Sequence, residues 1–213
     1  MKRHKRWGWL LLAMQLMSPA YAVPLTREQA MVAAERQDEA VRMTGLARLA
    51  EIGLMADADR LLPQLSAADP RVRAAAQAAI TQIWSRSNDA AIDPLFARGV
   101  AQIEASALAD ALATFDDIVR RKPAFAEGWN KRATVHFLLG HNLQSLQDCD
   151  EVLKRNPHHF GALSGAGEIH LQLGQPEQAL EFFKRAFAVN PYLRGLAQTI
   201  HELELRLRSG MST

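Results

Sequence analysis

Residues 160–193 read FGALSGAGEIHLQLGQPEQALEFFKRAFAVNPYL, and the fold is decided by this stretch. Small residues stand at its eighth and twentieth places (Gly167, Ala179), phenylalanine at the twenty-fourth (Phe183) and proline at the thirty-second (Pro191). Two windows of the same 34-residue length precede it without a gap, 92–125 and 126–159. Their eighth places hold Gly99 and Ala133, their twentieth Ala111 and Ser145, their twenty-fourth Phe115 and Cys149, and their thirty-second Pro123 and Pro157. A fixed period of this size marks a unit that buries its apolar face only against its neighbours. The expected fold is all-α, a solenoid of antiparallel helix pairs over residues 92–193.

The spacing has a physical reading. Gly99, Ala133 and Gly167 on the first helix of each pair are expected to face Ala111, Ser145 and Ala179 on the second. Phe115 and Phe183 then fill the gap toward the next repeat, each ring burying roughly 150–250 Å². Gly140 and Gly174 sit where the first helix must stop in a left-handed residue. The first window has Ser106 at that place, which makes its turn the least regular.

The run Trp129, Ala133, Gly140, Ser145, Pro157, followed by Leu163, Gly167, Gly174, Ala179, Phe183, Ala186, Pro191, resembles the tetratricopeptide repeat (TPR). The wording of residues 126–134 and 160–165 is also similar to that of a group of exported proteobacterial proteins built from such repeats. The resemblance implies a right-handed superhelix of three repeats (92–125, 126–159, 160–193). It further implies that the first helices line a concave groove for a protein or peptide. Carried over by position, the groove residues are Phe96, Val100, Ile103 and Glu104, then Glu127, Asn130, Lys131, Thr134, Phe137 and Leu138, then Ser164, Glu168, Leu171 and Gln172. The clamp with which some members grip a terminal carboxylate would need basic and amide residues where this chain has Phe96, Val100, Gly161 and Gly165. That clamp is absent, so the expectation is that Asn130 and Lys131 hold polar groups of a ligand while Phe96, Val100 and Phe137 take apolar ones.

The flanks are less regular. Thr26 with Gln29 forms a capping box that predicts a helix over 27–43, interrupted at Thr44–Gly45, with a thin apolar face (Ala30, Met31, Ala34) and loose packing. Leucines from Leu46 to Leu65 break at Gly53 and Pro63 into two short helices, and Asp69–Pro70 opens another to about Arg86. Residues 23–91 read either as a degenerate cap on the first regular repeat or as a HEAT-like pair. Residues 194–213 read as a closing helix to about Arg208 and a frayed tail, with Leu196, Ile200, Leu203 and Leu207 on one face of the helix and the pairs Glu202–Arg206 and Glu204–Arg208 on the other.

At the N-terminus Lys2, Arg3, Lys5 and Arg6 precede an apolar run, Trp7–Met17, and Ala20-Tyr-Ala22 supplies small residues for a peptidase. This pattern predicts a secretory signal over 1–22 and a periplasmic or secreted protein, with an uncleaved anchor as the alternative. The run is too short for an ordinary membrane span, so no stable membrane insertion is expected after cleavage. The chain carries 25 basic and 23 acidic side chains. Losing the four in the signal leaves 21 basic, a net −2 with histidines neutral, and no basic face for nucleic acid.

No metalloprotease, thiol-pair, hydrolase or phosphate-loop motif is present, so no catalytic residue, metal or cofactor is assigned. The lone Cys149 reads as a small buried residue. His136 and His170 read as fillers of an aromatic-sized slot, and His158–His159 as poor paired ligands because adjacent side chains point apart. Asp116–Asp117 and Asp148–Asp150 read as solvated surface. Two functions follow: an interaction module that recruits a cell-envelope partner, or an accessory factor that holds clients during export or assembly. A bulky residue at Gly167 is expected to overpack its repeat at a cost of several kcal/mol, read as a lowered melting temperature.

Overall fold

The computed structural model describes residues 24–210; the secretory-signal reading of 1–22 lies outside the described residues. The described chain is all-helical. Four helices form an N-terminal unit: α1 (Arg27–Ala34), α2 (Glu39–Ile52), α3 (Met55–Leu61) and, after a 3-10 turn over Leu62–Ser66, α4 (Pro70–Trp84). Three antiparallel pairs follow: α5 (Asp93–Glu104) with α6 (Leu108–Arg121), α7 (Ala126–Leu138) with α8 (Asn142–Arg155), and α9 (Phe160–Gln172) with α10 (Pro176–Val189). Helix α11 (Leu196–Arg208) closes the stack.

Within the first and third pairs the small residue at the eighth place is a seat for the phenylalanine of its own repeat. A Cβ on Gly99 would fall 2.6 Å from Phe115 Cζ, and one on Gly167 would fall 2.5 Å from Phe183 Cε1. The rings therefore lie on bare backbone, and the gap they fill is inside the pair rather than toward the next one. In the middle pair the partners are Ala133 and Cys149, and Ser145 Oγ donates to the Ala133 carbonyl at 2.7 Å. Gly140 (φ 76°) and Gly174 (φ 68°) are left-handed as expected, and Ser106 adopts the same conformation at φ 58°. The turn is thus preserved in the first repeat despite a Cβ that disfavours it.

The N-terminal unit departs from expectation in two ways. The helix predicted over 27–43 ends at Ala34, because Asp38 Oδ1 accepts the Val41 N–H at 3.0 Å and starts α2 afresh. Gly45 is not a break but lies within α2, where a Cβ would stand 2.4 Å from the Ala34 nitrogen and 2.5 Å from the Ala30 carbonyl. The two backbones touch there, so the thin face packs tightly: Ala30, Met31 and Ala34 are buried, contrary to the expected loose packing.

The second departure is where the unit sits. The expected cap would cover the free face of the first repeat. Yet the unit's core (Leu46, Leu49, Leu61, Ile80, Ile83, Trp84) takes in Phe160 of α9 and is flanked by Val189 and Leu193, while the first repeat's cluster holds no residue of α1–α4. Asn190 Nδ2 donates to Gln77 Oε1 at 2.9 Å, and the Arg73 guanidinium lies 3.8 Å over the Tyr192 ring. The unit therefore lies along the edge made by the inter-repeat turns. At the other end α11 buries Leu196 and Leu203 against α10, and Glu204 pairs with Lys184 of α10 at 2.6 Å rather than with Arg208.

Gly45→Ala is expected to force α1 from α2 and to cost about 1–3 kcal/mol in denaturant unfolding. An unchanged midpoint would mean the two backbones do not touch in solution.

Candidate functional site

Helices α7 and α9 stand side by side, and between them opens a cavity of ≈ 130 Å³. Asn130, Thr134 and Phe137 of α7 and Glu168 of α9 form its walls, with Ala133, Ser145 and Cys149 below and Gly161 and Gly165 at the side. Its origin is legible in the repeat. Where Phe115 and Phe183 fill the first and third pairs, the middle pair has the much smaller Cys149. Gly165 widens the mouth, since a Cβ there would meet nothing within 4 Å. Burial, with Asp148 and Asp150 nearby, pushes the Cys149 thiol up to about 12, so at neutral pH it is a small apolar floor and no nucleophile.

Four of the fourteen residues assigned to the groove from sequence line this cavity: Asn130, Thr134, Phe137 and Glu168. Phe96 does not. It is 7% exposed, edge-on to Phe115 and Phe125 with centroids 6.0 and 5.3 Å away, and belongs to the core of the first repeat. Val100 and Ile103 are half-buried against that core, and Leu171 packs on the α10 side.

Glu127 is the largest correction. Instead of facing the groove it is 4% exposed, and its carboxylate is fully engaged. One oxygen takes the Asn130 amide at 3.1 Å and the Lys131 ammonium at 3.3 Å; the other lies 2.8 Å from His159 Nε2. Lys131 is therefore committed to a buried carboxylate and is not a free cation awaiting a ligand. Burial works to raise the Glu127 pKa, but the hydrogen bond from His159, then the Lys131 charge and the Asn130 amide, outweigh it and hold the group below its ordinary value.

His159 itself was weighed from sequence only as a metal ligand, and its structural part was missed. Its Nδ1 accepts the Ala162 N–H at 3.0 Å, capping α9, so the ring proton sits on Nε2 and is donated to Glu127. The ring stacks on Trp84 of the N-terminal unit, 4.6 Å between centroids. The available signal was its position: two residues after Asn156-Pro157 and just before the next helix, it stands at a capping place. Asp148 was also misread as solvated. It is 3% exposed and held bidentately by Arg132 at 2.7 and 2.8 Å, while Arg132 reaches Asp116 of the preceding repeat at 2.9 Å. His136 is partly buried, which lowers its pKa, and His170 stacks on Phe182. Among the described residues no group of three His, Cys, Asp or Glu is placed to hold a metal. No helix there is long and apolar enough to cross a membrane.

No protein-family model matches the chain. A TPR repeat-containing protein of Rhizobium etli is 33% identical over 91 residues, which is 42% of this chain and 45% of that protein. The chain thus spans less than half the length of the curated relative it matches. Among solved structures, the first TPR of Spaghetti (RPAP3), bound to the HSP90 peptide SRMEEVD, superposes with a TM-score of 0.53 at 17% identity, over 55% of this chain and 93% of that one. The chain has the tetratricopeptide-repeat fold. The Sgt2 TPR domain from Aspergillus fumigatus gives a TM-score of 0.53 at 14% identity, covering 57% of this chain and 82% of that one. The MamA protein gives 0.52 at 13% identity, covering 78% and 83%. At these identities the likeness concerns the fold.

Because the folded pKa of Glu127 lies below its ordinary 4.5, its ionised form stabilises the TPR array above that pH. The contribution is lost as pH falls through the folded value. Glu127→Gln keeps an acceptor for His159 and removes the charge. It is expected to cost about 1–3 kcal/mol at pH 7 in urea unfolding, and the gap to wild type is expected to close below pH 4.5. A gap independent of pH would show that the charge does not contribute.

Proposed function

We propose that this TPR protein is an interaction module that seats a segment of a protein partner along α7 and α9, one apolar side chain entering the cavity over Cys149. The observation that carries this reading is the cavity itself. Two of three repeats close the same space with a phenylalanine, whereas the middle one leaves it open on the groove side. An apolar floor with an amide, a hydroxyl and a carboxylate at the rim (Asn130, Thr134, Glu168) fits a peptide side chain flanked by backbone donors and acceptors. Glu168, exposed and without an ion pair among the described residues, favours a segment with a basic residue beside the apolar one. The Spaghetti domain, whose fold is similar, was solved with a peptide bound, which supports peptide capture as a use of this scaffold.

The reading includes an extracytoplasmic site of action, supported by the basic and apolar pattern of residues 2–17 and the Ala-Tyr-Ala that follows. The partner is then a protein of the cell envelope or one in transit through it, recruited at a fixed ratio. A mature chain starting at Val23 in mass spectrometry is the expected result, and a chain retaining residues 1–22 in the envelope would replace export with anchoring.

The decisive experiment transplants the neighbours' solution into the middle repeat. Ala133→Gly with Cys149→Phe puts a ring on a bare backbone, as at Gly99 and Gly167, and fills the cavity without touching its rim. The double variant is expected to melt at or above the wild-type temperature and to lose the partners crosslinked to wild type in cells. A well-folded double variant with an identical set of crosslinked partners would remove the cavity from the account.

A further inference from the structure

A second cavity, ≈ 190 Å³, lies at the seam between the N-terminal unit and the inter-repeat turns. From the unit it is lined by Trp84 and Arg86, and from the array by Lys122, Phe125, Arg155 and Asn156. Three cations converge on it, and among the described residues no carboxylate lines it. Two of the cations have carboxylate partners: Lys122 with Asp89 at 3.5 Å and Arg155 with Glu151 at 2.6 Å. Arg86 forms no ion pair among the described residues and feels the Asp93 carboxylate only from a longer distance. It donates to the Ala50 and Gly53 carbonyls, the latter at 2.7 Å, and burial lowers its pKa from the ordinary value.

The same residues carry two of the buried polar atoms without a hydrogen-bond partner, Trp84 Nε1 and Asn156 Nδ2; their side chains belong to residues 5% and 3% exposed. Both are donors, and an orphaned buried donor costs free energy unless something accepts from it. The chain contains its own control. Asn156 and Asn190 occupy the same place in successive repeats and adopt the same turn, each Oδ1 accepting the N–H two residues on at 3.2 Å. At Asn190 the free Nδ2 is taken by Gln77 of the N-terminal unit at 2.9 Å. At Asn156 the equivalent acceptor is missing and the cavity is there instead. Ala126, the first residue of α7, also lines the cavity, and α7 begins without a side-chain cap, so its positive end faces the same space.

We propose that this cavity binds a small oxyanion-bearing ligand, accepted by the Trp84 and Asn156 N–H groups and balanced by Arg86, which ties the N-terminal unit to the repeat array. The one cation there without an ion pair matches a monoanionic carboxylate, and the Phe125 ring beside it suits an apolar substituent on that carboxylate. Inorganic phosphate offers the same acceptor chemistry from a different source. The site is independent of the groove cavity: the two share no lining residue.

The test uses the full chain at constant ionic strength, titrated with N-acetyl-leucinate in one arm and inorganic phosphate in the other. The indole N–H resonance of Trp84, assigned by Trp84→Phe among the four tryptophans, reports the orphan donor directly. It is expected to move saturably with the carboxylate, and a tenfold excess over Kd is expected to raise Tm by roughly 3–6 °C. Asn156→Asp supplies a carboxylate in place and is expected to abolish both responses, whereas Asn190→Asp, whose position is already satisfied, leaves them intact. Saturation by phosphate alone assigns the site to phosphate. No movement of the Trp84 resonance in either arm, or equal movement in wild type and Asn156→Asp, overturns the proposal; neither result bears on partner capture in the groove.

Discussion

His159 holds the molecule together at one point. Its ring caps α9 through Nδ1, donates from Nε2 to the buried Glu127 of α7, and carries the Trp84 indole of α4 on its face. A neutral imidazole has one donor and one acceptor, and both are used here, so the tautomer is set by the backbone it caps. Glu127 then passes the constraint on, holding Asn130 and Lys131 beside the groove. The second and third repeats, the N-terminal unit and the groove wall therefore share a single desolvated cluster. A buried charge of this kind costs a good deal unless it is fully paired, and here each carboxylate oxygen has partners.

A second constraint is volume. Phe115 and Phe183 lie on glycine backbone, and replacing the ring by cysteine in the middle repeat, with alanine opposite, keeps the helices in contact but leaves space. Close packing normally removes such space, because dispersion contacts are lost around it. Its retention on the groove face, under a rim of mixed polarity, separates the middle repeat from its neighbours. It is also why the middle repeat, rather than the whole concave surface, is the candidate site.

Legibility from sequence followed the range of the interactions. The helix pairs, their left-handed turns at Gly140 and Gly174 and the closing helix depend on residues close in the chain, and their spacing states them directly. Asn130, Thr134, Phe137 and Glu168 were also legible, because a helix places every third or fourth residue on one face. Phe96 and Glu127 were assigned to the same face yet are buried, since what covers them is Phe125 in one case and His159 in the other, side chains outside their own helices. Gly45 was read as punctuation, because a glycine that ends a helix and one that lets two helices touch look alike until the partner backbone is known.

The sequence by itself determined the all-helical repeat, its period and the left-handed turns that end its first helices. These are local or nearest-neighbour properties, and a solenoid is built from nothing else. Only the tertiary structure decided where residues 27–84 go. They lie along the inter-repeat turns, clamped by Trp84 on His159 and Gln77 on Asn190, where an end cap was expected. The last of these contacts joins residues 113 positions apart, and no periodicity encodes it. The charge state of the groove wall was decided in the same way: Lys131 reads as a free cation in the chain and becomes the partner of a buried carboxylate only once α7 and the turn before α9 are packed together.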